Sequence, residues 1–142
     1  MHRYLKKLNE IKISHLNSVG GKNASLGEMM NNLDELNLNL PQGYALTTEA
    51  YNDFIKENEI GPYIQSILNN KDPSDIQELH SFGQSIRERI LSSKLSKSIT
   101  EATAIAWDNL NPNNDKSFSV AVRSSATTED LPTASFAGQM ES

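Results

Sequence analysis

With 142 residues, the chain has the length of a single domain, and its formal net charge of −5 argues against a general nucleic-acid-binding protein. The sequence contains no cysteine, which excludes disulfide bonds and thiolate metal sites. No apolar run approaches the ~18 residues of a membrane span, and no signal-peptide pattern opens the chain, so we expect a soluble, cytoplasmic protein.

The N-terminal part of the chain combines extended segments with one amphipathic helix. Residues 4–16 alternate loosely between apolar and polar side chains, which predicts one or two short strands. The Gly20-Gly21 pair predicts a turn over residues 18–21. A helix is predicted over residues 23–37, because one apolar stripe recurs at helical spacing through Leu26, Met29, Met30, Leu33 and Leu36.

A short strand and two helices are predicted next. Residues 44–46 form the strand, and Thr47 or Thr48 is expected to cap a helix that begins near Glu49. The Gly61-Pro62 pair predicts a break between this helix and a shorter one that ends at Leu68.

Two longer helices are predicted after a polar loop. An S-x-x-Q capping box at residues 74–77 opens a helix that ends near Ser92, and a further helix spans residues 96–110. The turn-rich residues 111–116 then lead into the C-terminal segment. This order of elements predicts an α+β subdomain.

The C-terminal segment begins with a predicted buried strand at residues 118–122, where Phe118, Val120 and Val122 alternate with small or polar residues. Arg123 follows at the predicted strand end, where its planar guanidinium can bind phosphate oxygens. The small residues after it would let backbone N–H groups approach a ligand. A solvated arginine on a surface loop explains the same pattern, and a lone arginine is more often of that kind.

The polar residues after Arg123 each allow two interpretations. The hydroxyls of Ser124, Ser125 and Thr127 either donate to phosphate oxygens or bond locally to the backbone. Glu129 and Asp130 are paired carboxylates that could help hold Mg²⁺, but an acidic pair before a proline more often lies in solvent or caps a turn. We therefore predict no metal ligand among the residues of this chain.

A second candidate anion site lies at Gly20-Gly21-Lys22, ahead of the first predicted helix. The unpaired N–H groups and the positive dipole end of a helix N-terminus favour an anion, and Lys22 adds a positive charge. The segment is not a P-loop, which would need glycine in place of Leu16 and serine or threonine in place of Asn23. Taken alone, a G-G-K turn is usually only a turn.

Two long motifs carry a resemblance to a known family. The sequence V-G-G-K-N-A-S-L-G-E-M at residues 19–29 and V-R-S-S-A-T-T-E-D-L-P-T-A-S-F-A-G-Q at residues 122–139 resemble the N-terminal signatures of the phosphoenolpyruvate synthase (pyruvate, water dikinase) family. The stretch P-Q-G-Y-A-L-T-T-E-A-Y at residues 41–51 resembles the strand and helix that connect them. The motifs occur in the family's order, about a hundred residues apart.

The resemblance implies that residues 1–142 are the N-terminal part of an ATP-grasp nucleotide-binding domain. It implies that Lys22 and Arg123 contact the ATP phosphates or the transferring group and act in catalysis. Gly138 and Ser142 match the family's small loop over the nucleotide. The implied cofactors are ATP and Mg²⁺, with the metal ligands expected in the second half of the grasp, beyond this chain.

In the family, a phosphoryl group passes from ATP to a histidine of a later domain and then to pyruvate. This sequence matches neither of those domains, so we expect pyruvate to be a partner only through them and the chain alone to be inactive. An ATP-binding part of an antibiotic-phosphorylating relative, such as rifampicin phosphotransferase, and a non-catalytic interaction module are the alternatives. We also expect residues 118–122 to expose apolar surface and to promote self-association.

Overall fold

The computed structural model describes residues 3–33, 40–69, 76–127, 130–131 and 134–135. Over these residues the chain is mostly helical with short antiparallel strand pairs, which confirms the predicted α+β class. The helices and strands are, in chain order, β1 (Leu5–Lys7), α1 (Leu16–Val19), α2 (Gly21–Leu33), β2 (Tyr44–Leu46), α3 (Thr48–Glu57), α4 (Ile60–Leu68), α5 (Ile76–Ser92), α6 (Lys97–Leu110), β3 (Asp130–Leu131) and β4 (Ala134–Ser135).

Strands β1 and β2 form a two-stranded antiparallel sheet, in which Leu5 pairs with Leu46. The prediction of β2 is confirmed residue for residue. The extended segment predicted over residues 4–16 is only partly correct, because Leu8–Glu10 and Ile13–His15 are 3₁₀ turns. The Ile11 N–H donates to the Leu8 carbonyl and the His15 N–H donates to the Lys12 carbonyl, each three residues back as in a 3₁₀ turn, whereas the Leu8 N–H donates to the Gly43 carbonyl.

The described chain divides into two compact units, one within Met1–Ala50 and Ser98–Ser142 and the other within Tyr51–Lys97. The first unit holds both strand pairs together with α1, α2 and most of α6. The second holds α4, α5 and most of α3, and in it the Arg89 guanidinium donates to the Asn58 carbonyl over 3.0 Å.

The predicted break at Gly61-Pro62 is wrong by two residues. The chain turns instead at Glu59, whose backbone is left-handed with φ of 53°, and Gly61 and Pro62 lie in the first turn of α4. Proline is well suited to that position, because the first N–H groups of a helix have no intrahelical partner and its ring presets the helical φ.

One buried cluster of the first unit lies where the two 3₁₀ turns before α1 pack on α2. Ile11 is completely buried there, and Val19 is 2% exposed. The buried residues of this cluster are Leu8, Ile11, Val19, Ala24 and Ala45. Along α6 the sequence places an apolar stripe at Ile99, Ala102, Ala106 and Leu110, of which the first three are buried and Leu110 is half-buried.

Helix α2 begins at Gly21, two residues before its predicted start, and its described part ends at Leu33. The predicted end at residue 37 lies outside the described residues. The turn predicted over residues 18–21 is shorter than expected. Helix α1 ends at Val19, and only Gly20, with φ of 80°, separates it from α2.

The strand predicted at residues 118–122 is wrong. These residues belong to no helix or strand, and Val120 and Val122 are 44% and 82% exposed. A strand needs a neighbour along its edge, and the only partner of β1 among the described residues is β2. Phe118 instead packs edge-on against Trp107, with ring centroids 5.6 Å apart. The expected exposed apolar surface is therefore present, whereas self-association stays a prediction.

The predicted turn at residues 111–116 is confirmed and is built from polar side chains. The Asn111 side chain donates to the Asp115 carbonyl and accepts from the Asp115 N–H. The backbone N–H of Ser117 and, with a smaller effect, its hydroxyl donate hydrogen bonds to the Asp115 carboxylate. These bonds hold the pKa of Asp115 below its ordinary value of 3.8. Among the helices of the described residues, none is both long and apolar enough to cross a bilayer.

We expect Gly27→Ala to destabilise the first unit by about 1–3 kcal/mol. A Cβ on Gly27 would lie 2.6 Å from both the Cβ and the carbonyl oxygen of Ile11, so α2 would have to move away from the turn. This overlap outweighs the gain of up to about 1 kcal/mol in helix propensity. Chemical denaturation of the variant and the unmodified chain measures the difference.

The control is Gly83→Ala in α5, where the nearest atom is the Arg87 guanidinium at 3.3 Å, the far end of a flexible side chain. That variant should be as stable as the unmodified chain or more so, by up to about 1 kcal/mol. Equal destabilisation of both variants would contradict the packing argument.

Candidate phosphate-binding site

The candidate site is built on the N-terminus of α2. Gly20 leaves the helical path with φ of 80° and ψ of 163°, and its carbonyl accepts the Ala24 N–H over 3.0 Å at the start of the next helix. The first N–H groups of a helix lack intrahelical partners and carry the positive end of its dipole. Lys22 is exposed in this first turn, so the turn combines backbone donors with a positive charge, as phosphate binding requires.

Ser125 connects the second motif to this turn. Its hydroxyl donates to the Val19 carbonyl over 2.9 Å and lies 3.3 Å from the Asn23 N–H, which donates to it. These partners are 106 and 102 residues away in the sequence. The hydroxyl therefore caps α2 in the manner of an N-cap side chain, although it comes from a distant segment.

Gly20 fits closely against the same serine. A Cβ on Gly20 would overlap the Ser125 carbonyl oxygen and hydroxyl, and it would lie 2.6 Å from the carbonyl carbon. Both the left-handed backbone and the absence of a side chain are therefore needed at this position. The two motifs meet at a backbone-to-backbone contact that only glycine permits.

This contact brings the two predicted phosphate-binding residues into one region. Lys22 precedes Asn23 by one residue and Arg123 precedes Ser125 by two, so chain geometry keeps their Cα atoms within about 18 Å. Both side chains are exposed. Two long cationic side chains at this spacing can reach the same triphosphate.

Hydrogen bonds hold the backbone around the turn. The Asn23 side chain donates to the Val19 carbonyl over 2.9 Å, and the Ile13 N–H donates to the Glu28 carboxylate over 3.0 Å. His15 Nδ1 accepts the Lys12 N–H over 3.0 Å. The segment before α2 is thus fixed to the helix at both ends, which gives the candidate site a rigid base.

Several residues that the sequence analysis considered for the site are not part of the arrangement described above. Gly138, Ser142 and Glu129 lie outside the described residues, and Asp130 starts β3, where it pairs with Ser135 in a short hairpin that the sequence did not predict. In the part of the chain that the structure describes, no group of three His, Asp or Glu side chains is arranged to bind a metal ion.

Ser125 is the residue whose role the sequence left open. The sequence allows either a donor to phosphate or a local bond to the backbone, and the observed bonds do reach the backbone, but at residues 106 and 102 positions away. The sequence signal was only a hydroxyl after the arginine, because a contact across more than a hundred residues leaves no periodic pattern.

Comparison with known proteins gives a family match over residues 16–142, to the family described as "Pyruvate phosphate dikinase, AMP/ATP-binding domain". Both halves of the candidate site lie within the matched residues. The match begins at the first residue of α1, so it omits β1 and the two 3₁₀ turns.

Individual relatives agree with the family match. The chain is 39% identical to the phosphoenolpyruvate synthase of Escherichia coli K12, over 94% of this chain and 17% of that protein. It is 40% identical to that of Neisseria meningitidis serogroup B, over 97% and 18% of the two chains. It is 41% identical to that of Aquifex aeolicus, over 94% and 16%.

The chain spans about a sixth of the length of these curated relatives. Its similarity extends over nearly all of its own residues, and the matched region contains the Gly20–Ser125 contact. The chain belongs to the pyruvate phosphate dikinase AMP/ATP-binding domain family.

Proposed function

We propose that this chain binds the phosphates of ATP at the N-terminus of α2, with Lys22 and Arg123 as the cationic ligands. The observation that carries the proposal is the Ser125 hydroxyl, which ties the segment of Arg123 to the helix turn of Lys22. Family membership supports the same ligand, because the family is described by AMP and ATP binding. Gly138 and Ser142 complete the proposed nucleotide-binding set.

The proposed roles follow from charge. ATP carries several negative charges, and phosphoryl transfer depends mainly on positioning and on stabilising charge at the transferring group. An arginine fork binds two phosphate oxygens at once, whereas a lysine acts as a mobile point charge. Lys22 and Arg123 would therefore orient the phosphates and oppose the charge that develops as a phosphoryl group leaves.

We infer further that the chain is the N-terminal part of an ATP-grasp domain in a phosphoenolpyruvate synthase. Such an enzyme converts pyruvate, ATP and water to phosphoenolpyruvate, AMP and phosphate through a phosphohistidine outside these residues. The names of the relatives support this reaction over antibiotic phosphorylation. Mg²⁺ would neutralise phosphate charge when bound, with ligands outside the described residues. ATP dependence favours a cytoplasmic location.

Calorimetric titration with Mg-ATP tests the proposal. We expect the chain to bind, and we expect Lys22→Ala and Arg123→Ala each to weaken binding at least about tenfold, because each removes a charge-assisted bond. The double variant should show no measurable binding at the same concentrations. Raising the salt concentration should weaken binding by the unmodified chain, since both cations are exposed.

The control is the double variant Arg87→Ala/Lys116→Ala, which removes the same two positive charges from other exposed positions. It should bind Mg-ATP as the unmodified chain does. If the control loses affinity as strongly, net charge rather than the proposed site governs binding. Absence of any Mg-ATP binding by the 142-residue chain would also contradict the proposal.

A further inference from the structure

We propose that Ser125 is a positioning residue that docks the Arg123 segment onto α2, so that Lys22 and Arg123 act on one nucleotide phosphate group. This inference rests on the proposed function and deepens it. It assigns Ser125 no contact with the nucleotide. Its claim is that the geometry of the site depends on one hydroxyl at the junction of two distant motifs.

The bonding of the hydroxyl favours positioning over direct phosphate binding. A serine hydroxyl has a single proton to donate, and the Val19 carbonyl accepts it at 2.9 Å. Its oxygen accepts the Asn23 N–H at the same time. Donation to a phosphate would break the first of these bonds, so the observed arrangement suits a joint between segments rather than a ligand.

The attachment of the Arg123 segment depends on the Ser125 side chain. The missing side chain of Gly20 leaves the space that Ser125 occupies, since a Cβ on Gly20 would overlap the Ser125 carbonyl and hydroxyl. From residue 118 to residue 127 the chain has no helix or strand to hold it. Within the described residues, the Ser125 hydroxyl therefore bonds this segment to the last residue of α1 and to the first turn of α2. Removing it should leave Arg123 on a segment with no fixed place relative to Lys22.

The neighbouring serine supplies a matched control. Ser124 is half-buried like Ser125, and its side chain is in none of the hydrogen bonds that join this segment to α2. Ser124→Ala and Ser125→Ala thus remove the same atom from adjacent residues. Only the second removes the proposed joint.

Two measurements test the proposal, and the first needs no nucleotide. In the nucleotide-free chain, Ser125→Ala should speed hydrogen exchange at the Asn23 amide by about tenfold, because the amide loses its acceptor. Ser124→Ala should leave that rate unchanged. An unchanged Asn23 rate in Ser125→Ala would overturn the proposal even if Mg-ATP binding still depended on Lys22.

The second measurement is a double-mutant cycle in Mg-ATP affinity. If Ser125 acts by placing Arg123, then Arg123→Ala should cost about tenfold in the unmodified chain but less than about threefold in the Ser125→Ala background. Additive losses would mean that Ser125→Ala only destabilises the fold and would overturn the proposal. Tighter Mg-ATP binding by Ser125→Ala would also overturn it, because the hydroxyl would then be blocking the site.

The two measurements separate this inference from the proposed function. Faster Asn23 exchange in Ser125→Ala, together with no Mg-ATP binding by the unmodified chain, would overturn the proposed function and the nucleotide role of Ser125 with it. Mg-ATP binding that depends on Lys22 and Arg123 but shows no coupling to Ser125 would overturn this inference alone.

Discussion

Gly20→Ala is expected to separate the two motifs and to lower Mg-ATP affinity by at least about tenfold. Two costs combine at this position. The backbone φ of 80° is unfavourable for any side chain, and strain of this kind costs about 1–3 kcal/mol. A Cβ would in addition overlap the carbonyl and hydroxyl of Ser125. The backbone carbonyl cannot rotate away as a side chain could, so the whole segment must shift.

Denaturation, amide exchange and calorimetry together measure this effect. The free energy of unfolding should fall by more than the roughly 1–3 kcal/mol of backbone strain alone, because the overlap with Ser125 adds to it. The Asn23 amide should exchange faster because Ser125 no longer reaches it. Loss of Mg-ATP binding should exceed what the fall in stability explains. A variant that retains Asn23 protection and full affinity would show that the Gly20–Ser125 contact is not required.

The matched control for Gly20→Ala is Gly61→Ala in α4. No heavy atom lies within 4 Å of a Cβ built on Gly61, and alanine favours the helix by up to about 1 kcal/mol over glycine. This variant should be as stable as the unmodified chain or slightly more so. It adds the same methyl group and therefore separates the local overlap at Gly20 from any general effect of losing a glycine.

The sequence predicted best those helices and strands whose formation depends on their own residues. Strand β2 and helix α6 follow from their own residues, since Pro41 and Gly43 mark a turn before the strand and an apolar stripe recurs along the helix. The start of α2 was predicted to within two residues for the same reason. Such signals act over a few residues and leave a periodic trace in the sequence.

The strand predicted at residues 118–122 failed because strand formation is not local. Alternation at Phe118, Val120 and Val122 marks a segment suited to a sheet, but hydrogen bonds to a neighbouring strand must hold it there. Among the described residues no strand lies beside it. Periodicity identifies a face, whereas pairing depends on residues that the segment does not contain.

Only part of the candidate site could be predicted from the sequence, because the contact that assembles it is not local. Lys22 and Arg123 could be named from their residue types and from the motifs around them. The Ser125 contact spans more than a hundred residues, and its partners are the carbonyl of Val19 and the amide of Asn23. Every residue has a backbone carbonyl and nearly every residue has a backbone N–H, so no residue type in the sequence indicates this contact. Only the folded chain shows why Gly20 must be glycine.

Ile11→Ala is expected to lower the free energy of unfolding by about 2–5 kcal/mol. Ile11 is completely buried, in a cluster with Leu8 and Val19. Its carbonyl also accepts the Asn31 side chain over 2.8 Å, so its backbone is held against α2 and cannot move to fill a cavity. Chemical denaturation measures the change, and Ile11→Val, which removes one methyl group, should cost only about 0.5–1.5 kcal/mol.

The matched control for Ile11→Ala is Ile13→Ala, two residues away and 54% exposed. Because that side chain is largely in water already, its truncation should cost less than about 1 kcal/mol. Equal costs at the two positions would contradict the burial of Ile11. The expected loss at Ile11 is a large part of the 5–15 kcal/mol that stabilises a typical domain. Since Ile11 packs on the helix that begins at Gly21, Ile11→Ala should weaken Mg-ATP binding through unfolding, and stabilising the folded chain with an osmolyte should restore that binding.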